Sequence, residues 1–412
     1  MKLLFLAPQP FFQERGTPIA VRLALTVIAE RNRRNGDTQS EIDLLAYHEG
    51  QPIDIPNVAL HRITVPRWLA YFVRGIGPGV SVKKLICDIL FLFKAFKLVR
   101  AARKKKYDLV HAVEEGVYVA MLIKWIYGIP YIYDMDSSLA MQVTEKWRIF
   151  KPLYPVLSWL ERLAIRNSAA VAPVCDALGV LASNHGARKT FILRDVSLLN
   201  LDEIDGTIDL RAESGVPEGE ILSLYVGNLE HYQGIDLMIE SFASVCSKQS
   251  SGRLIIIGGS DAHLAQYKAK VRSLGLESRI KLLGPRPVSR LGDYITQADI
   301  LVSPRIKGNN TPMKLYSYMH AGKALLATEL ATHTQVLDSS TAMLTKPDIE
   351  HFAAAWLALS GDDRLRRELG LRARATADEK YTFANFSSEL NRLYEHISQS
   401  VGQSAAVVEI PR

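Results

Sequence analysis

Short apolar runs alternate with longer stretches whose apolar positions recur at helical spacing. Strands buried on both faces read as continuous apolar runs, so these runs predict a parallel sheet covered by helices. In the first half the runs are Lys2–Ala7, Ile42–Ala46, Ala59–Ile63, Leu109–Val113, Tyr131–Tyr133, Ala169–Pro173 and Thr190–Leu193. Helical stretches fall at 17–31, 82–106, 117–127 and 152–166. Ser197–Gly206 has no period and reads as a linker. The alternation then restarts, with strands expected at Ile221–Val226, Arg253–Ile257, Ile280–Leu283, Ile300–Val302 and Ala324–Ala327. Helices close the chain at Ile349–Leu359, Asp363–Asp378 and Phe383–Ser398, and 401–412 reads as a loose tail. This pattern predicts an α/β protein with two doubly wound, Rossmann-like domains, 1–200 and 201–380. Their loop ends are expected to face a cleft that closes on a ligand.

The stretch Ala298–Thr328 is the most informative. It reads as a strand, a polar loop Pro304–Asn310, a helix opened by Thr311-Pro312, and a second strand after Gly322. Thr is a good N-cap, and Pro is tolerated at the first helical position. The first-turn N–H groups of Met313, Lys314 and Leu315 would then favour an anion such as a phosphate. Lys314 adds a cation where the helix dipole disfavours one. By spacing, Asn310, Lys314 and Ser317 share one helical face. The alternative is a surface lysine snorkelling over the helix end. Thr17-Pro18 repeats the same helix start after Gln13–Gly16, where Gly16 is either a tight turn or part of a binding loop.

Charge narrows the picture. The 412 residues carry a formal net charge of +7, but eleven Lys or Arg and one acid lie between Arg67 and Lys106. A surplus of ten in one segment leaves the rest near neutral, which argues against a nucleic-acid partner. The 82–106 helix is basic and amphipathic, its apolar stripe formed by Val82, Leu85, Ile89 and Phe93 among others. It either touches an anionic membrane surface or packs on the sheet with a solvated basic face. Three scattered cysteines and no membrane-length apolar run suit a cytoplasmic protein, at most at the inner face of the membrane. His111, Glu114, Asp134 and Asp136 gather at the ends of neighbouring predicted strands. His111 is either a satisfied core histidine or a ligand contact, and Asp136 either an N-cap or an acceptor-side group. No metal-ligand spacing is visible.

Four segments in order resemble the retaining family 4 glycosyltransferases of the GT-B fold. They are YVGNLEHYQGIDLMIESF, LLGPRPVSRLGDYITQADILVSP, TPMKLYSYMHAGKALLAT and the Phe383–Ser398 helix. The resemblance implies a nucleotide-diphosphate sugar, UDP- or GDP-linked, held by the second domain, and an acceptor held by the first. It also implies that helix 381–400 crosses back to the first domain. Donor contacts are expected from Gly16, Gly227, Asn228, Gln233, Gly234, Arg286, Asn309, Asn310, Thr311, Pro312, Met313 and Ser317. Family members commonly carry an Arg and a Lys where this chain has Asn228 and Gln233. They carry two glutamates where it has Asn309 and Ser317. All four departures remove a charge and weaken hydrogen bonding.

Lys314 and Arg305, with Lys307 a third candidate, are expected to compensate at the diphosphate. Retaining, metal-independent transfer would develop negative charge on the leaving group, which Lys314 and Arg305 would stabilise. His111 would contact the sugar, and Glu114, Asp134 and Asp136 would line the acceptor side. The acceptor is expected to be a glycan or a lipid-linked molecule, in cell-surface polysaccharide synthesis. Two other readings stay open: a GT-B-shaped partner or regulator without catalysis, and a sugar-phosphate epimerase on the same fold.

Overall fold

The computed structural model describes residues 1–10, 16–34, 41–50, 52, 55–76, 81–146, 148–201, 204, 206–248, 252–308 and 310–406. The chain divides into two compact units, Met1–Arg194 with Phe386–Arg412, and Asp195–Asn385.

The first unit holds β1 (Leu3–Leu6), β2 (Ile42–Ala46), β3 (Val58–Arg62), β4 (Leu109–Val113), β5 (Tyr131–Met135) and β6 (Ala170–Pro173). They form one sheet in the order β3-β2-β1-β4-β5-β6, with parallel pairing throughout. The second unit holds β7 (Leu222–Val226), β8 (Arg253–Ile257), β9 (Ile280–Gly284), β10 (Ile300–Ser303), β11 (Ala324–Thr328) and β12 (Met343–Thr345). Its order, β12-β11-β10-β7-β8-β9, repeats the first topology. Each sheet therefore reverses direction once, between β1 and β4 and between β7 and β10. The loops leaving those strands diverge, and ligands bind there in such folds.

Most of the apolar runs became strands buried along their length, the edge strands β3 and β9 being more open. In β1, β4, β10 and β11 every residue is buried, the pattern that covering both sheet faces requires. Thr190–Leu193 is the exception. Thr190 bridges Val171, and the Phe191 and Leu193 N–H groups donate to Val171 O and Pro173 O at 3.0 and 2.9 Å, but no continuous strand is formed there. Met343–Thr345 is an edge strand too short to stand out by pattern.

The Val82–Ala101 helix is rolled differently from its expected register. Cys87, Phe91, Ala95 and Val99 face the core, whereas Val82, Leu85, Ile89 and Phe93 are exposed. Ser81 caps it by accepting the Lys84 N–H. The Phe383–Ala406 helix runs past residue 401, where a loose tail was expected. Its Leu390, Leu393, Tyr394 and Ile397 are buried.

Candidate functional site

In the second unit the site forms where β7 and β10 end. Gly227 follows β7 at φ +150, and its N–H donates to Ile257 O at 3.0 Å. A Cβ on Gly258 would lie 2.0 Å from Gly227 O, so the two strand ends meet closely only because both residues lack side chains. The loop then turns through Asn228. Its backbone carbonyl accepts the Tyr225 hydroxyl at 2.6 Å, and its Oδ1 accepts the Glu230 N–H at 3.3 Å. A short 3₁₀ turn, His231–Gln233, ends at Gly234 in the left-handed region. A Cβ on Gly234 would lie 1.9 Å from Pro304 O. The β7 loop thus lies directly on the β10 loop, and Ile306 N–H donates to Tyr232 O at 3.0 Å.

Lys314 reaches into this junction. Its Nζ lies 3.4 Å from Gln233 Oε1 and 3.9 Å from the centre of the Tyr225 ring. A Cβ on Gly227 would be 3.5 Å from it. Burial, and then the neighbouring Arg305 guanidinium, hold the ammonium well below the usual lysine range. Among the described residues no carboxylate pairs with it. The structure therefore brings together Gly227, Asn228, Gln233, Gly234 and Lys314.

The helix behind Lys314 differs from the sequence expectation. It spans Lys314–His320 and no side chain caps it. Thr311 is 2% exposed, and its hydroxyl has no hydrogen-bond partner among the described residues, so the expected N-cap does not form. Leu315 N–H, expected to face an anion, donates to the Pro312 carbonyl at 3.0 Å. Pro312 is buried and Met313 half-buried. Ser317 Oγ accepts the Leu198 N–H at 3.1 Å, and Ser197 bonds His320 at 2.8 Å. Ser317 is therefore turned to the linker, and does not share an open face with Asn310 and Lys314.

Arg305 is 6% exposed and folded back on its own loop. It donates to Lys307 O at 2.9 Å, to Asn310 O at 2.8 Å and to Asn310 Oδ1 at 3.1 Å, and it covers the Tyr232 ring. Both Arg305 and Asn310 shape the loop, where direct phosphate and donor contacts were expected. Lys307 is exposed. Arg286 is occupied by Glu213, whose hydrogen bond raises its pKa, and it also donates to Leu283 O. Asn309 lies outside the described residues. Gly16 opens the first helix, Gly16–Arg34, after a loop that is not described.

His333 escaped the sequence reading. Its Nδ1 donates to Thr328 O at 2.7 Å, which leaves Nε2 to accept from Ser303 Oγ at 2.9 Å. It clamps the ends of β10 and β11, and burial pushes its pKa down to about 3. Tyr225 and Tyr318 were also missed, although a tyrosine inside an apolar run must find a partner for its hydroxyl. Tyr318 accepts the Val226 N–H at 2.8 Å.

In the first unit His111 is 0% exposed. It is the register partner of Phe5, with the rings stacked 4.3 Å apart. Asp134 Oδ2 accepts from Nε2 at 3.2 Å, and Nδ1 accepts the Tyr394 hydroxyl at 3.0 Å. The expected sugar contact is thus replaced by a satisfied core histidine, and Asp134 is its partner. Glu114 stands at φ +47 and accepts from Ser137 Oγ at 3.2 Å. Burial, and then Glu115, raise its pKa. Lys84 pairs with Glu115, and the Tyr47 hydroxyl donates to Asp88. Asp136 is half-buried just after β5. Ser138, two residues on, caps the next helix by accepting the Met141 N–H.

Solved structures share this architecture. Sucrose-phosphate synthase from Thermosynechococcus elongatus superposes with a TM-score of 0.75 at 18% identity, over 97% of this chain and 99% of that one. Anabaena HepE in complex with UDP gives 0.70 at 16% identity, over 96% and 100%. The fold is GT-B, with two doubly wound parallel sheets of six strands. A family profile described as Glycosyl transferases group 1 matches residues 207–376. One described as Glycosyl transferase 4-like domain matches residues 21–193. The D-inositol 3-phosphate glycosyltransferase of Nocardia farcinica is 30% identical over 358 residues, 74% of this chain and 73% of that protein. The phosphatidyl-myo-inositol mannosyltransferase of Mycolicibacterium smegmatis is 23% identical over 207 residues, 49% and 52% respectively. The chain belongs to the group 1 glycosyltransferases.

Proposed function

We propose that the chain transfers a sugar, with retention and without a metal, from a nucleotide-diphosphate sugar to a glycan or lipid-linked acceptor in cell-surface polysaccharide synthesis. The reaction takes place at the cytoplasmic face of the membrane, with the Val82–Ala101 helix supplying the contact. One observation carries the donor half of this reading. Lys314 is held in protein with no carboxylate partner among the described residues, against a loop built of close-packed glycines. Lys314 is partly buried, and an unpaired cation drawn out of water is costly unless an anion offsets it. The Thr311 hydroxyl, buried three residues away, is a donor that a ligand oxygen would satisfy.

Each group then has a task this chain's residues can perform. Lys314 neutralises the diphosphate as the glycosyl bond lengthens, and its depressed pKa rises when the anion binds. Gln233 orients the ammonium from its Oε1 side. Arg305 acts at second hand, keeping 307–310 in shape. The relatives named for inositol-derived acceptors support a polyol hydroxyl as nucleophile.

Lys314→Ala should abolish, or weaken at least about tenfold, the thermal stabilisation by UDP- or GDP-sugars. Transferase activity should persist in EDTA. Unchanged nucleotide affinity in the variant would remove Lys314 from the site. Wild-type protein that responds to no uridine, guanosine, adenosine or thymidine donor would favour a non-catalytic partner protein. That second reading draws support from Ser317, whose hydroxyl is committed to Leu198 where the family commonly has a glutamate.

A further inference from the structure

The Val82–Ala101 helix has two apolar stripes, and folding uses one of them. Cys87, Phe91, Ala95 and Val99 pack on the sheet. Val82, Leu85, Ile89 and Phe93 point the other way, Phe93 being 69% exposed. A helix on a globular core needs one apolar face, so the second lacks a folding role.

The same feature extends across neighbouring helices. Gly116–Tyr127 packs beside it and exposes Trp125 and Ile126, and Tyr154–Asn167 packs next and exposes Val156 and Trp159. All three contribute to one core cluster on one side of the sheet, so their outward residues belong to one layer. Between the first two lies a groove of about 560 Å³ lined by Leu92, Phe93, Phe96, Lys97, Arg100 and Leu122.

Charge selects the occupant. The three helices carry eight Lys or Arg and two acids. Both acids are turned inward. Asp88 accepts from Tyr47, and Glu161, 1% exposed, accepts from Ser138 at 2.8 Å. The outward charges of these helices are thus all positive, set among exposed tryptophans. Lysine and arginine stems lie along apolar surface while their heads reach phosphates, and tryptophan favours the bilayer interface. A second copy of the chain would oppose like charges.

We propose that this three-helix face docks on an anionic lipid bilayer, with its apolar side chains at the headgroup boundary and Lys97 and Arg100 on lipid phosphates. The proposal rests on the membrane reading above and extends it from one helix to a surface. Full-length protein is sedimented with vesicles of phosphatidylglycerol and phosphatidylcholine, and with phosphatidylcholine alone. Wild type should bind the anionic vesicles only. The double substitution Lys94→Glu with Lys97→Glu should weaken binding at least about tenfold. Trp125→Ser with Trp159→Ser, on the other two helices, should weaken it by a similar factor, with an unchanged unfolding midpoint as the folding control. Full binding by the tryptophan variant alongside loss in the lysine variant would overturn the three-helix face and leave the single-helix contact standing. No binding by wild type would remove both. A concentration-dependent dimer seen by light scattering, broken by the tryptophan substitutions in a chain that ignores vesicles, would assign the face to self-association instead.

Discussion

Lys314 and Gly234 shape the proposed donor pocket for opposite reasons, one through its charge and the other through having no side chain. Gly234 sits at φ +74 with the Pro304 carbonyl where its Cβ would be. Alanine there would face left-handed strain and overpacking together, roughly 3 kcal/mol. Gly234→Ala should lower the urea midpoint accordingly. It should also abolish nucleotide-induced stabilisation, because the β7 loop must lift off the β10 loop. Both positions could be picked out in the sequence, a lysine breaking the dipole rule and a glycine in a loop after a strand. The partners of Lys314 could not. Tyr225 is hidden inside a continuous apolar run, and Gln233 is 81 residues away in sequence. Ser317 shows the converse: helical spacing put it on the face of Lys314, but a distant backbone N–H claimed its hydroxyl.

Several elements followed local pattern where one end was marked by chemistry. Gly128 closes the Gly116–Tyr127 helix in the left-handed region, and Ser81 opens Val82–Ala101. The Thr311-Pro312 start failed because the Pro312 carbonyl took the N–H of Leu315 and the helix began later. The Val82–Ala101 helix also carries a pH response. Burial, and then Glu115, push Asp88 up to about 7. The folded state therefore favours its protonated form. The stability this contributes is fully present below the ordinary carboxylate range and is lost as pH rises through about 7. Asp88→Asn can still accept from Tyr47 but cannot ionise. The fall in unfolding free energy between pH 5 and pH 8 should be smaller in this variant by about 2 kcal/mol. Equilibrium urea denaturation at the two pH values measures it, and an unchanged difference would show that Asp88 ionises normally.

At the scale of the whole molecule, two units with separate sheets and cores should unfold in separable steps. The terminal helix belongs to the first unit, through Tyr394 and its hydrogen bond to His111. Tyr394→Phe strands a buried histidine nitrogen and should cost about 1–2 kcal/mol. In calorimetry this should lower one transition, while a nucleotide sugar should raise the other. A nucleotide that raised the same transition would contradict the assignment of Lys314 and His111 to separate units.

The strand–helix alternation, the restart after the linker, the position of the β10 loop and the local excess of positive charge were all legible along the chain. Burial on both sheet faces and the chemistry of helix ends act within a few residues, so they leave local marks. Which way the Val82–Ala101 helix rolls, that His111 is locked between Asp134 and Tyr394, and that Arg305 braces a loop were not legible. The first two depend on groups that meet only when distant segments pack; Arg305 bonds partners two and five residues away, and sequence spacing does not encode which of several available partners a side chain will reach.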